Sequence, residues 1–184
     1  SARMDRAGLL FGMSGYYDGW PGGHVYSSGD NGQSWAYLSS ATKPGIANAT
    51  ASHALADGVT NVVDVKNTLN VRMTYGGFSS VSDLAMFNDA NHFAIGAHGR
   101  WEIVAAKTIY DEADGTCTLS HLMRGRFGTE WAMTTHAIGD VVVLLDIAQL
   151  GFINMAASDI NMMKLWRGVT NGRSVDSASE TPLA

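Results

Sequence analysis

Hydrophobic and polar positions alternate along much of this chain with a period of two, in short runs separated by turn formers. Leu69, Val71, Met73 and Tyr75 alternate with Asn70, Arg72 and Thr74, which predicts a strand with one wet face. Similar or more continuous runs predict strands over Ala7–Ser14, His24–Ser28, Ser34–Ser40, Phe93–Gly96, Trp101–Tyr110, Thr116–Met123 and Met162–Val169. Val141-Val142-Val143-Leu144-Leu145, bounded by Gly139-Asp140 and Asp146, reads as a buried strand. Shorter pieces are expected over Gly45–Ala49, Ser52–Ala56 and Val62–Val65. The periodicity changes only over Ser79–Ala90, where Ser80 or Ser82 is placed to cap a helix of about three turns. Ile147–Ile160 is ambiguous between helix and loop.

The turns carry their own signals. Asn31-Gly32 between two strand-like runs is a strong hairpin signal, and Asp114-Gly115 gives another before Thr116. Ser28-Gly29-Asp30-Asn31-Gly32-Gln33-Ser34-Trp35 looks like an Asp box, the turn motif of sialidase-type propellers. In such a box Ser28, Asp30 and Gly32 would build the turn and Trp35 would pack beneath it, a structural role. A single copy excludes a propeller, whose blades repeat every ~40–50 residues.

About ten short strands with one or two short helices predict a mainly β fold, an antiparallel sandwich or barrel-like domain. Residues 1–6 read as a remnant or linker, 7–173 as the β-rich body, divisible into 7–68 and 69–173, and 174–184 as a polar tail or linker.

Composition changes this picture little. The chain has 184 residues, 46% hydrophobic and 16% charged, with 12 Lys plus Arg against 17 Asp plus Glu and a net charge of −5. Nucleic-acid binding is not expected without a basic excess, nor is a membrane span, since no apolar run approaches ~20 residues. The one cysteine, Cys117, forms no disulfide framework and reads as a small buried hydrophobe.

The chemistry-bearing residues form no recognised catalytic pattern. His92, His98 and Glu102 lie close in sequence, but without the spacing of a metal motif such as H-E-x-x-H, so no metal or other cofactor is expected. His121 reads as a hydrogen-bonded strand residue and His136 as a structural hydrogen-bond partner in a turn. Glu130 beside Trp131 invites an acid–base reading, but no second carboxylate accompanies it. The preferred reading pairs Glu130 with Arg124 or Arg126. No nucleophile elbow, phosphate loop or dinucleotide fingerprint is present, and the sequence gives no positive ground for an enzyme. In the loop from Gly15 to Gly23, Tyr16, Tyr17, Asp18 and Trp20 are candidate contacts for a glycan or receptor, because rings give contact area at small entropy cost.

One stretch carries a wider resemblance. Leu122, Arg124-Gly125-Arg126, Gly128-Thr129-Glu130-Trp131-Ala132, His136-Ala137, Gly139-Asp140 and Val143–Asp146 resemble the tail-tip or baseplate hub proteins of long-tailed phages and gene transfer agents. The likeness extends over about Leu69 to Val169 and, less specifically, over the hairpin region Ala7 to Ser40. It implies a virion structural domain at the tail tip, made in the bacterial cytoplasm, that helps attach the particle to its host. Its partners would be other tail-tip or baseplate proteins, commonly in a trimer. Arg124, Gly125, Arg126, Gly128, Glu130 and Trp131 would hold a structural corner. The alternative is a carbohydrate-binding or host-receptor-recognition module of the same tail protein, binding a host surface glycan.

Overall fold

A computed structural model of the chain describes residues 8–17, 19–42, 45–97, 99–159, 162–178 and 181–182. In chain order the strands are β1 (Gly8–Phe11), β2 (Gly23–Ser28), β3 (Ala36–Ala41), β4 (Asn48–Ala51) and β5 (Leu69–Tyr75). A short helix, α1 (Asp83–Phe87), leads to β6 (His92–Ala97), β7 (Arg100–Asp111), β8 (Thr116–Arg126) and β9 (Val141–Leu144). β10 (Gly151–Asn154), β11 (Leu165–Thr170) and β12 (Thr181–Pro182) follow. The fold is mainly β, as the alternation predicts.

The chain divides into two compact units: Ser1–Ile46 with Ile147–Ala184, and Ala47–Asp146. The division therefore falls at 46/47 and 146/147 rather than at 68/69. The strand β4, ahead of residue 69, pairs with β5 and β9, which ties residues 47–68 to the second unit.

In the first unit, β1 pairs with β10, and a second sheet runs β12-β11-β2-β3. Val25, Ile153 and Trp166 form its core, with Leu9, Phe11 and Met13 packed against them. The segment left ambiguous over Ile147–Ile160 contains β10 and a 3-10 turn at Ala157–Asp159. The polar stretch after Ser174 contributes a 3-10 turn, Val175–Ser177, and β12.

The second unit is a closed antiparallel barrel of six strands, β4-β5-β8-β7-β6-β9. Each strand has two partners, so no edge is left unpaired. Its interior holds Leu69, Val71, Phe93, Ile95, Val104, Ala106, Leu119, Leu122 and Val142, all buried. Cys117 joins this core, and burial pushes its thiol up to about 11. The helix is shorter than Ser79–Ala90. Ser82 caps it by accepting from the Ala85 N–H, and Asp89, at φ 63°, ends it in a left-handed turn. The strand expected over Val62–Val65 reduces to one bridge, Asp64 with Leu122.

Strict alternation fails within β8. Cys117 and Leu119 are core residues, Ser120 beside Leu119 is buried too, and the buried row then resumes at Leu122 and Arg124. The switch of parity falls at His121, a non-glycine residue at φ 54°. A bulge follows, with Ile103 opposite Arg126 and Ala105 opposite Met123. This extra residue re-aims the end of β8 and places Arg124 on the same buried row as Leu122.

Candidate functional site: a buried ion network in the barrel

Along β7 the fully buried residues Val104 and Ala106 are preceded, two positions earlier, by the equally buried Glu102. A carboxylate on an apolar row is costly unless paired and hydrogen-bonded. Glu102 is both. Its Oε1 accepts from Arg124 Nε and from the Gly125 N–H, each at 2.8 Å. Its Oε2 accepts from Arg124 Nη2 at 2.8 Å and lies 2.6 Å from His136 Nε2. The remaining Arg124 nitrogen, Nη1, donates to the Ala56 carbonyl at 2.8 Å and lies 3.7 Å from Asp64 Oδ2.

On its other side His136 presents Nδ1 to Asp140 Oδ2 at 3.4 Å. Asp140 Oδ2 also accepts from Arg100 Nη1 at 2.8 Å and from the Ala137 N–H at 2.9 Å, and Arg100 Nη2 donates to Oδ1. Arg100 completes the chain by donating to the Thr135 carbonyl at 2.7 Å. Residues of β7, β8, the loop 52–68 and the turn 133–140 are thereby joined through five charged side chains and one imidazole.

Burial by itself pushes the carboxyl groups of Glu102, Asp64 and Asp140 up. In each case the partners outweigh it, and the net displacement is downward. His136, Arg124 and the Gly125 N–H act on Glu102. The Asn67 backbone and side chain, the Lys66 N–H and Arg124 act on Asp64. Arg100, the Ala137 N–H and His136 act on Asp140. All three are held as ionised acceptors.

The corner residues are used differently from the sequence reading. Arg124 pairs with Glu102 and Asp64 rather than with Glu130, and Arg126 pairs with Asp89 at 3.3 Å. Glu130 is exposed, in the 3-10 turn Glu130–Ala132. Trp131, which the resemblance places in the structural corner, is 61% exposed, because that turn points its ring outward. Gly128, at φ 80°, sits in the turn that follows β8. Thr129 secures that turn: its Oγ1 donates to the Arg126 carbonyl and accepts from the Ile103 N–H.

In the aromatic loop the three described candidate contacts, Tyr16, Tyr17 and Trp20, do not form one surface. Trp20 is 1% exposed and donates from Nε1 to Thr170 Oγ1 at 3.3 Å, so its ring cannot stack on a ligand. Tyr16 and Tyr17 are 89% and 59% exposed, and Asp18 lies outside the described residues. The Asp-box-like turn closes as its residues demand. Ser28 Oγ donates to Asp30 Oδ1 at 2.6 Å and accepts from the Gly32 N–H at 2.8 Å. Asp30 accepts from the Ser34 N–H and hydroxyl, and these bonds, Ser28 first, lower its carboxyl to about 2. Trp35 is half-buried, with the Arg167 guanidinium 4.1 Å above its ring.

His92 Nδ1 lies 2.9 Å from the Asp89 carbonyl, Glu102 is committed to Arg124 and His136, and His98 lies outside the described residues. Among the described residues no group of three or more His, Cys, Asp or Glu is arranged to hold a metal ion, and no helix is long and apolar enough to cross a membrane. An open hollow of about 440 Å³ is lined by residues 57–59 and 62–67, including Asp57, Val59, Val62 and Lys66. Asp64 on its wall already accepts from the Lys66 and Asn67 N–H groups and from Asn67 Nδ2.

Sequence reasoning missed Arg100, Asp64 and Asp140 as network members, and gave Glu102 only a metal reading. One signal was present: Glu102 falls in phase with Val104 and Ala106 in an apolar run.

No curated protein matches the chain. The family model described as Rcc01698-like, C-terminal matches residues 47–143, which is just over half of the chain and nearly the whole barrel unit. The chain therefore belongs to the Rcc01698-like, C-terminal family.

Proposed function

We propose that this chain is a structural domain of a phage or phage-like tail-tip or baseplate hub protein, contributing to tail-end assembly and host attachment. The observation that carries the reading is how the segment resembling those proteins is used. Its polar residues Arg124, His136 and Asp140 point into the network, where their hydrogen bonds hold the barrel together. Beside the exposed Glu130 it presents three large apolar side chains outward: Phe127, Trp131 and Ile138 are 62%, 61% and 75% exposed. A rigid body with outward rings suits contact with neighbouring proteins, where aromatic residues are enriched. On this reading the role is mechanical and interfacial, the partners are other tail-tip or baseplate proteins in a trimeric parent, and the place is the virion.

The test is electron microscopy of tailed particles from the strain that encodes the chain, labelled with gold-conjugated antibodies raised against it. Gold at the tail tip supports the reading. Gold along the tube or on the head, or particles that bind none, overturns it.

A second reading, a glycan- or receptor-recognition module of the same protein, is favoured by one observation, the adjacent exposed rings of Tyr16 and Tyr17. It is tested by titrating intrinsic fluorescence with bacterial surface polysaccharides. A saturable response lost in the Tyr16→Ala/Tyr17→Ala double variant supports it, and an unchanged response in that variant removes the site.

A further inference from the structure

We infer that His136 is held in the fold as the doubly protonated imidazolium, a proton-dependent latch fastening the turn 133–140 onto β7. The inference is independent of the tail reading.

Both ring nitrogens face carboxylate oxygens, Nε2 at 2.6 Å from Glu102 and Nδ1 at 3.4 Å from Asp140. Ionised carboxylates only accept, and both are kept ionised by guanidinium partners: Arg124 on Glu102, Arg100 on Asp140. A neutral ring donates to one of them and turns a lone pair toward the other. Only the imidazolium donates to both.

The charge balance agrees. The ring meets Glu102 on β7 and Asp140 in its own turn directly, and behind these carboxylates the network holds Arg100 on β7, Arg124 on β8 and Asp64 from the loop 52–68. Three carboxylates against two guanidinium groups leave one negative charge where burial makes an unbalanced charge costly. A proton on His136 brings the set to neutrality.

The latch sits where it matters to the barrel. The Ala51 N–H donates to the Asp140 carbonyl and the Gly139 N–H donates to the Ala51 carbonyl. The turn thus sets the start of β9, which closes the barrel against β4. Loss of the proton leaves a bare nitrogen facing a carboxylate and loosens that closure.

Nitrogen-15 NMR of the intact chain at about pH 7, near the ordinary histidine range, tests this directly, the ring being assigned through its connectivity to Ala137. Two protonated ring nitrogens with slowly exchanging N–H protons are expected. One bare ring nitrogen overturns the inference. A second arm compares denaturation midpoints of the wild type and His136→Gln between about pH 7 and 9. If the folded state keeps a proton that the unfolded chain releases, stability falls as pH rises. The wild-type midpoint is expected to drop over this range more steeply than the variant's. Cys117 titrates equally in both and cancels. Parallel curves overturn the inference, and if the variant fails to fold the NMR result decides.

Discussion

Arg124 and Glu102 meet in a two-pronged ion pair, Nε to Oε1 and Nη2 to Oε2, both at 2.8 Å, with neither side chain exposed. The planar guanidinium matches the carboxylate fork, and the other Glu102 contacts, the Gly125 N–H and His136, fill the rest of its acceptor capacity. A buried pair of this kind adds little over a well-packed apolar pair, but leaving one member behind is severe. Its effect is to make several distant segments depend on one another.

Gly125 carries that dependence in its backbone. It sits at φ 59°, and a Cβ there would lie 2.6 Å from Glu130 Cγ and 3.1 Å from Glu130 Cα. Gly125→Ala therefore combines left-handed strain of about 1–2 kcal/mol with a clash against backbone. Gly128→Ala, at φ 80° with open space around it, should cost only the strain. Gly77→Ala, at a position where no positive φ is needed and nothing lies within 4 Å, should stay within about 0.5 kcal/mol. Urea denaturation of the three variants checks the order. Gly128→Ala costing as much as Gly125→Ala would remove the contact with Glu130 from the explanation.

Acid should act through the network's carboxylates. Glu102, Asp64 and Asp140 are all displaced downward in the fold. A carboxyl lowered on folding contributes stability that is fully present above its unfolded value, about 4, and is lost as pH falls through the lower folded value. On acidification below about pH 5 the denaturation midpoint should decline. Asp140→Asn, less stable at neutral pH, should lose less on acidification. Parallel wild-type and Asp140→Asn curves would contradict the assignment.

The tryptophans divide into buried and exposed classes: Trp20 is 1% exposed and Trp131 61%. Trp20→Ala should cost about 3–5 kcal/mol, as for other large buried rings, while Trp131→Ala should stay within about 0.5 kcal/mol. Acrylamide quenching gives an independent check: Trp131→Phe should remove a readily quenched component, and Trp20→Phe should not. The reverse pattern would mean that the two rings are misplaced.

Much of the fold was legible because burial on one face writes a period of two into a strand. β5 falls on Leu69–Tyr75 as the alternation predicts, and β9 differs from its predicted run only by Leu145. Legibility ends where tertiary contacts override the local pattern. The parity switch at His121 depends on a strained φ that no local rule assigns to histidine. Nearness in sequence offers Arg124 or Arg126 as the partner of Glu130, because a tight corner favours near partners. The actual partner of Arg124, Glu102, is brought opposite by the β7–β8 pairing and the bulge between Met123 and Arg126. Asp64 and Ala56 approach Arg124 from a loop read as strand material, which carries no periodic signal. Trp20 illustrates the same limit: a ring in a glycine-rich loop reads as a contact until its anchor, Thr170, is seen 150 positions later.

The charged residues of the barrel are architectural, and equilibrium unfolding of Arg124→Met, Glu102→Leu and the double variant puts this to the test. Each single change strands a buried charge and should cost about 3–5 kcal/mol, whereas the double variant should recover most of that loss. Single variants within about 0.5 kcal/mol of the wild type, or a double variant whose loss is the sum of the two, would contradict it.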